Sequence, residues 1–252
     1  MIEFLHSFCL TGGQWFLLVT CGILVGIAKT GLSGAGMLVV PVLAGIFGGR
    51  SSAGLLLPML CFGDVFGVTY YHRHAEWRYL WRLMPWTLAG IAIGLFTGKV
   101  VSDAQFTAIL AVTILGGIAI MIWREKHGED MPVPDYWWFS ALTGLTGGFA
   151  TMIGNAAGPI MALYLLSMRL PKYAYIGTVA WFFFMVNLFK VPLHIFFWGT
   201  ITTRTFAFNI AMLPAIAAGA FIGIKAVRHI PEKAFRSLMI AMTVLAAVKI
   251  FF

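Results

Sequence analysis

The sequence predicts an all-α polytopic membrane protein made of two inverted-topology repeats of about five helical segments each, with broken or re-entrant helices near the midplane. Composition is the first observation behind this: of 252 residues, 60% are hydrophobic and 10% charged, with mean hydropathy +0.91. Soluble domains run about 25% charged, so this chain has too little polar surface to face water. Second, a glycine-broken apolar segment at 26–41 recurs in degenerate form at 148–163. Interrupted segments at matching places in two halves are the best sequence pointer to a transporter's binding region. Third, the copies share a register. Gly26, Ala35, Gly36 and Arg50 map onto Gly148, Ala157, Gly158 and Lys172 at an offset of 122, and Gly54 and Asp64 map onto Gly177 and Asn187 at 123. Pro85, Gly90, Gly94, Asp103 and Phe106 map onto Pro214, Gly219, Gly223, Glu232 and Phe235 at 129.

In chain order, the start at Met1 has no basic leader and no small-residue cleavage site, so the first apolar run is expected to insert and stay. The first membrane repeat is placed at 1–123, a cytoplasmic linker at 124–135 and the second repeat at 136–252. The linker is the one stretch polar enough to serve, with Arg124, Glu125, Lys126, Glu129, Asp130 and Asp135. Each repeat reads as a first segment at 14–29 (mate 136–151), a second at 34–47 (156–168) and a third at 51–71 (174–194). A fourth follows at 79–99 (204–226) and a fifth at 103–123 (232–252). The last three reach the roughly 20 residues a bilayer span needs; the first two fall short or only just reach it. They form either a re-entrant hairpin or two tilted crossings, and both choices leave the halves upside down relative to each other.

The net charge of +8 reads as topology and not as a nucleic-acid face, because the basic residues sit in short loops between apolar spans. Arg73, Arg78, Arg82, Arg124, Lys126, Arg169, Lys172, Lys225, Arg228, Lys233 and Arg236 fall on one side; Arg50, Lys99 and Arg204 fall on the other. By the positive-inside rule the first side is cytoplasmic and both termini are outside. Trp77, Trp81, Trp86, Trp123, Trp137, Trp138 and Trp198 lie near span ends, as an aromatic belt would. Cys9, Cys21 and Cys61 have no metal or redox spacing and read as small buried hydrophobes.

The residues able to carry chemistry gather at the two glycine-rich tips. Lys29, Gly31, Ser33, Gly34 and Gly36 form one; Thr151, Gly154, Asn155 and Gly158 form the other. Ser33 and Asn155 share the 122 offset, and both are preferred N-caps for a following helix. Two helix N-termini aimed at the midplane would offer amides and partial positive charge to one anion. The competing reading is that the glycines only permit close helix packing. Lys29 is either a charge near the bilayer middle with a partner, or a cytoplasmic anchor. Asp64, with the neutral mate Asn187, is a coupling candidate: a proton carrier, a counter-ion for Lys29, or a hydrogen-bonding group. Lys190 and His194, near the outer end of the matching helix, could draw an anion inward or snorkel to the interface, and snorkelling is the reading expected. His72, Arg73, His74 and Glu76 read as a charged loop and not a metal site. No hydrolase, metalloprotease, nucleotide or dinucleotide fingerprint occurs in a suitable context, so an enzyme is not expected and no cofactor is expected.

The run Gly26-Ile27-Ala28-Lys29-Thr30-Gly31-Leu32-Ser33-Gly34-Ala35-Gly36, leading into Leu38-Val39-Val40-Pro41, resembles the opening signature of the TauE/SafE sulfite exporter family. The stretch 147–163, followed by Gly177-Thr178 and Asn187, is similar to the family's repeated copy. The family's usual glycine run is thinned here by Ser33 and Ala35. The resemblance implies a secondary transporter of sulfite or a related organosulfur anion in a bacterial cell (inner) membrane, with export favoured. An anion channel and a carboxylate or other organic anion transporter of the same fold are the alternatives. The partners expected are a small anionic substrate, the lipid bilayer, a coupling proton or sodium ion, and no nucleic acid, with a homodimer as the candidate assembly.

Overall fold

The computed structural model describes residues 10–32, 36, 39–47, 49–97 and 136–251. Among these residues the chain forms α1 (Gly12–Lys29), α2 (Val39–Phe47), α3 (Gly49–Tyr71), α4 (Trp77–Thr97) and α5 (Trp137–Gly154). It continues with α6 (Gly158–Ser167), α7 (Lys172–Phe196), α8 (Thr203–His229) and α9 (Glu232–Phe251), and a 3-10 turn, His72–His74, joins α3 to α4. No strand occurs among the described residues. The expected segment at 103–123, the linker at 124–135 and Ser33, Gly34 and Ala35 lie outside the described residues. Helices α1, α3, α4, α7 and α8 are long and apolar enough to cross a membrane.

Local sequence explains where two of these helices begin. Thr11 accepts from the Gln14 amide at 3.3 Å while Gln14 Oε1 accepts from the Thr11 amide at 2.9 Å, a capping box that satisfies two orphan donors. Thr202 and Thr205 repeat the device at the start of α8. Prolines stand inside α3, α4, α7 and α8. Membrane helices tolerate them because neighbouring helices and side chains re-satisfy the freed backbone groups.

Three helix pairings organise the molecule: α1 against α8, α5 against α4, and α3 against α7. At the first, Gly26 lies so close to α8 that a Cβ there would collide with the Ile216 carbonyl oxygen, and one on Gly219 would collide with the Ile23 carbonyl. At the second, a Cβ on Gly148 would collide with the Thr87 carbonyl and one on Gly90 with the Leu145 carbonyl. Only glycine admits backbones this close. The contacts correspond position by position: 26 to 148, 23 to 145, 216 to 87 and 219 to 90 differ by the 122 and 129 offsets of the sequence.

The same contacts give the helix directions. Gly22 meets Ala215 and Gly31 meets Val227, so α1 and α8 run parallel; Gly144 meets Leu83 and Gly94 meets Met152, so α4 and α5 do too. Gly54 meets Thr200 whereas Gly177 meets the Tyr71 carbonyl, so α3 and α7 are antiparallel. Thus α1, α3 and α8 point one way and α4, α5 and α7 the other. Helix α6 folds back along α5: the Phe139 and Tyr164 rings stack at 5.6 Å, and Ser140 and Tyr164 share a hydrogen bond of 3.1 Å. The second half therefore contains a helical hairpin with its tip at 155–157. Arg73, Arg78, Arg169, Lys172, Arg228, Lys233 and Arg236 gather at one end of the molecule, tied together by Lys172 Nζ donating to the Val227 and Ile230 carbonyls and Arg228 donating to Tyr70. Arg204 stands at the other end, at the start of α8. Trp77, Trp81, Trp86, Trp137 and Trp138 are exposed, as a belt requires.

Candidate functional site

The antiparallel crossing of α3 and α7 carries the charged interior. Asp64 is fully buried (0% exposed) on α3, and its repeat mate Asn187 is buried opposite it on α7. Asn187 Nδ2 donates to Asp64 Oδ2 at 2.6 Å, and Lys29 Nζ from the last turn of α1 reaches Asp64 Oδ1 at 2.7 Å. The Lys29 ammonium also lies 4.3 Å from the centre of the Phe183 ring, a cation–π contact from α7. A buried charge must be paired to persist in this setting, and here the pair is complete. Lys29 is accordingly a partnered interior charge and not a surface anchor. Asn187 keeps one buried acceptor, Oδ1, without a hydrogen-bond partner among the described residues.

One turn along α7 sits Lys190, with 0% exposure. Its Nζ donates to the Thr151 carbonyl at 2.8 Å, Thr151 Oγ1 at 2.9 Å and Asn155 Oδ1 at 2.6 Å. Three oxygens match the three donors of an ammonium. All three are uncharged. Asn155 in turn donates through Nδ2 to the Ala53 carbonyl at 3.2 Å, so the α5–α6 tip is tied to both α7 and α3. His194, one turn further, shares a 2.9 Å hydrogen bond with Thr200 through Nδ1 and leaves Nε2 buried and without a partner among the described residues.

The two lysines occupy related junctions. Lys190 is the mate of Gly67 at offset 123, Thr151 the mate of Lys29 at 122, and Gly67 packs against the Lys29 carbonyl as Lys190 packs against Thr151. Each junction thus carries one lysine, supplied by opposite helices. With Asp64 neutralising Lys29, the cluster retains one positive charge, at Lys190, among the described residues.

Several expectations are corrected. Lys190 and His194 do not snorkel: both are fully buried. The reason is that α5 ends against α7 and supplies Lys190 with polar partners in the interior. Asn155 does not cap α6. It follows α5 in the left-handed conformation (φ 54°), where Asn is tolerated, and the residue before α6 is Ala157, which makes no side-chain cap. Pro159 does lie in the first turn of α6. Gly31 packs against Val227 of α8 and Gly36 near Ala28, away from the Asp64–Asn187 contact, while Gly154 and Gly158 flank the tip that holds Asn155. Ser33 and Gly34 are outside the described residues. Lys190 is the candidate that the sequence reading set aside in favour of snorkelling; its signal is position, one turn after Asn187 on α7.

The family model described as sulfite exporter TauE/SafE matches residues 18–250, nearly the whole chain. The chain belongs to the TauE/SafE family. No curated protein and no solved structure matches it. As a TauE/SafE member it is a multi-pass membrane transporter of sulfite or a related anion.

Proposed function

We propose that the protein is a secondary transporter that exports sulfite or a related organosulfur anion across a bacterial inner membrane, holding the anion at the Lys190–Asn155–Thr151 tip. The observation that carries this reading is Lys190: a wholly buried ammonium whose hydrogen-bond partners among the described residues are all neutral. A charge inside a bilayer costs a few kcal/mol or more, so an unmatched one in a membrane interior marks a functional site. An arriving anion offers Lys190 a stronger, charge-assisted acceptor than Asn155 Oδ1. The start of α6, with Gly158 and Pro159 and no side-chain cap, supplies free amides and a favourable dipole nearby.

Gly154 and Gly158 are assigned to letting the tip approach the substrate. In the other half Lys29, Gly31, Ser33, Gly34 and Gly36 are assigned the mate role, with Lys29 balancing charge. Asp64 and Asn187, between the two tips, are the coupling pair, and a proton or a sodium ion is the coupling ion. The opposed helix directions and the shared offsets support reading the halves as inverted repeats, the architecture that alternates access by rocking one half against the other. The arginine-rich end is assigned to the cytoplasm, with both termini outside.

Counterflow of labelled sulfite in proteoliposomes tests this directly. Preloaded unlabelled sulfite should drive transient accumulation of label, which a channel cannot do. Lys190→Met should lose at least about 90% of the initial rate, given the cost of removing one partner of a charge-assisted contact. Accumulation at the wild-type rate in Lys190→Met would remove Lys190 from the site.

A further inference from the structure

We propose that the buried cluster selects its substrate by charge, so that the site takes a singly charged oxyanion in preference to a doubly charged one of the same size. The proposal rests on the transport reading above and deepens it. Lys29 and Asp64 form a closed pair at 2.7 Å, with Asp64 fully buried and the Lys29 side chain 10% exposed. Lys190 adds one positive charge, 0% exposed and matched by neutral oxygens alone. One negative charge makes the cluster neutral. A second would be left without a partner in an interior where such a charge is strongly disfavoured.

Specificity of this kind follows from what is left unpaired more than from what is gained. A sulfonate, or hydrogensulfite among the inorganic species, meets the condition; sulfate and the fully ionised form of sulfite do not. Hydrogensulfite also brings a proton donor. Asn187 Oδ1, one turn from Lys190, is a buried acceptor with no hydrogen-bond partner among the described residues. Asp64 is then a specificity-determining residue that need not touch the anion, because it sets the total charge the anion must answer. Asp64→Asn raises the cluster by one positive charge. Lys29→Met lowers it by one, and the double variant restores the original sum.

The experiment titrates purified full-length protein with methanesulfonate and with sulfate, a monoanion and a dianion of similar size, at constant ionic strength. The pH is held slightly below neutral, where methanesulfonate stays a monoanion, sulfate a dianion and an ammonium protonated. Thermal stabilisation gives the two affinities. Wild type should bind methanesulfonate at least about tenfold more tightly. Asp64→Asn should move the ratio towards sulfate by about tenfold or more, and Lys29→Met with Asp64→Asn should return it towards the monoanion. Equal affinities in wild type, or an unchanged ratio in Asp64→Asn, overturn the proposal. If Asp64→Asn does not fold, Lys29→Met decides: it should lose affinity for both anions, and retained methanesulfonate binding there overturns the proposal. Anion binding with no charge preference defeats only this inference. Absence of any anion stabilisation together with absence of counterflow defeats the transport reading as well.

Discussion

Removing Lys29 leaves the Asp64 carboxylate in a place without water to receive it. Both oxygens of that carboxylate are committed, one to Lys29 at 2.7 Å and one to Asn187 at 2.6 Å. Breaking a buried pair by deleting one partner costs about 3–5 kcal/mol, whereas deleting both charges is often close to neutral. Lys29→Met should therefore lower the thermal midpoint in detergent sharply, and Asp64→Asn added to it should recover much of the loss. A double variant as unstable as the single one would mean that Lys29 stabilises through its Phe183 contact instead. Asp64 was legible in the sequence because a carboxylate deep in a span has few explanations. Lys190 was not: a lysine near a helix end ordinarily snorkels. What decides otherwise is Thr151 and Asn155, 39 and 35 positions away, which no local pattern brings to α7.

Helices in this molecule meet through glycines that stand in register across the two halves. Gly26 and Gly148 each face a carbonyl of the partner helix at a distance that excludes a methyl group. Overpacking costs about 1–3 kcal/mol, and backbone offers less room to yield than a side chain. Gly26→Ala and Gly148→Ala should each destabilise by at least that amount and by similar degrees, since their surroundings correspond. Gly147→Ala is the control, because its Cβ would meet only Ile160 Cγ2 at an ordinary 3.6 Å. A midpoint drop in the control as large as in the other two would refute the crossing argument. Helix positions were legible from apolar runs and glycine spacing, yet the tip was read one step out. Asn serves both as an N-cap and as a left-handed residue after a helix end. In this chain the hydrogen bonds to Lys190 and Ala53 hold Asn155 in the second role, and α6 begins only at Gly158.

Across the whole molecule, helices related by the sequence offsets point in opposite directions, α1 against α5, α3 against α7 and α4 against α8. Lys29 reaches the α3–α7 crossing from one end and the α5–α6 tip reaches it from the other. Transport in the proposed reading needs a definite orientation in the bilayer. The arginine-rich end gathers residues from the α3–α4 turn, the α6–α7 turn and the α8–α9 turn, and positive residues are retained on the cytoplasmic side. In a background lacking Cys9, Cys21 and Cys61, His74→Cys should react with a membrane-impermeant maleimide only after the membrane is opened. Thr202→Cys, at the exposed start of α8, should react in intact cells. The reverse pattern would turn the molecule over, placing the Lys190 tip on the cytoplasmic side, where an outbound anion would meet that lysine first, instead of on the outer side.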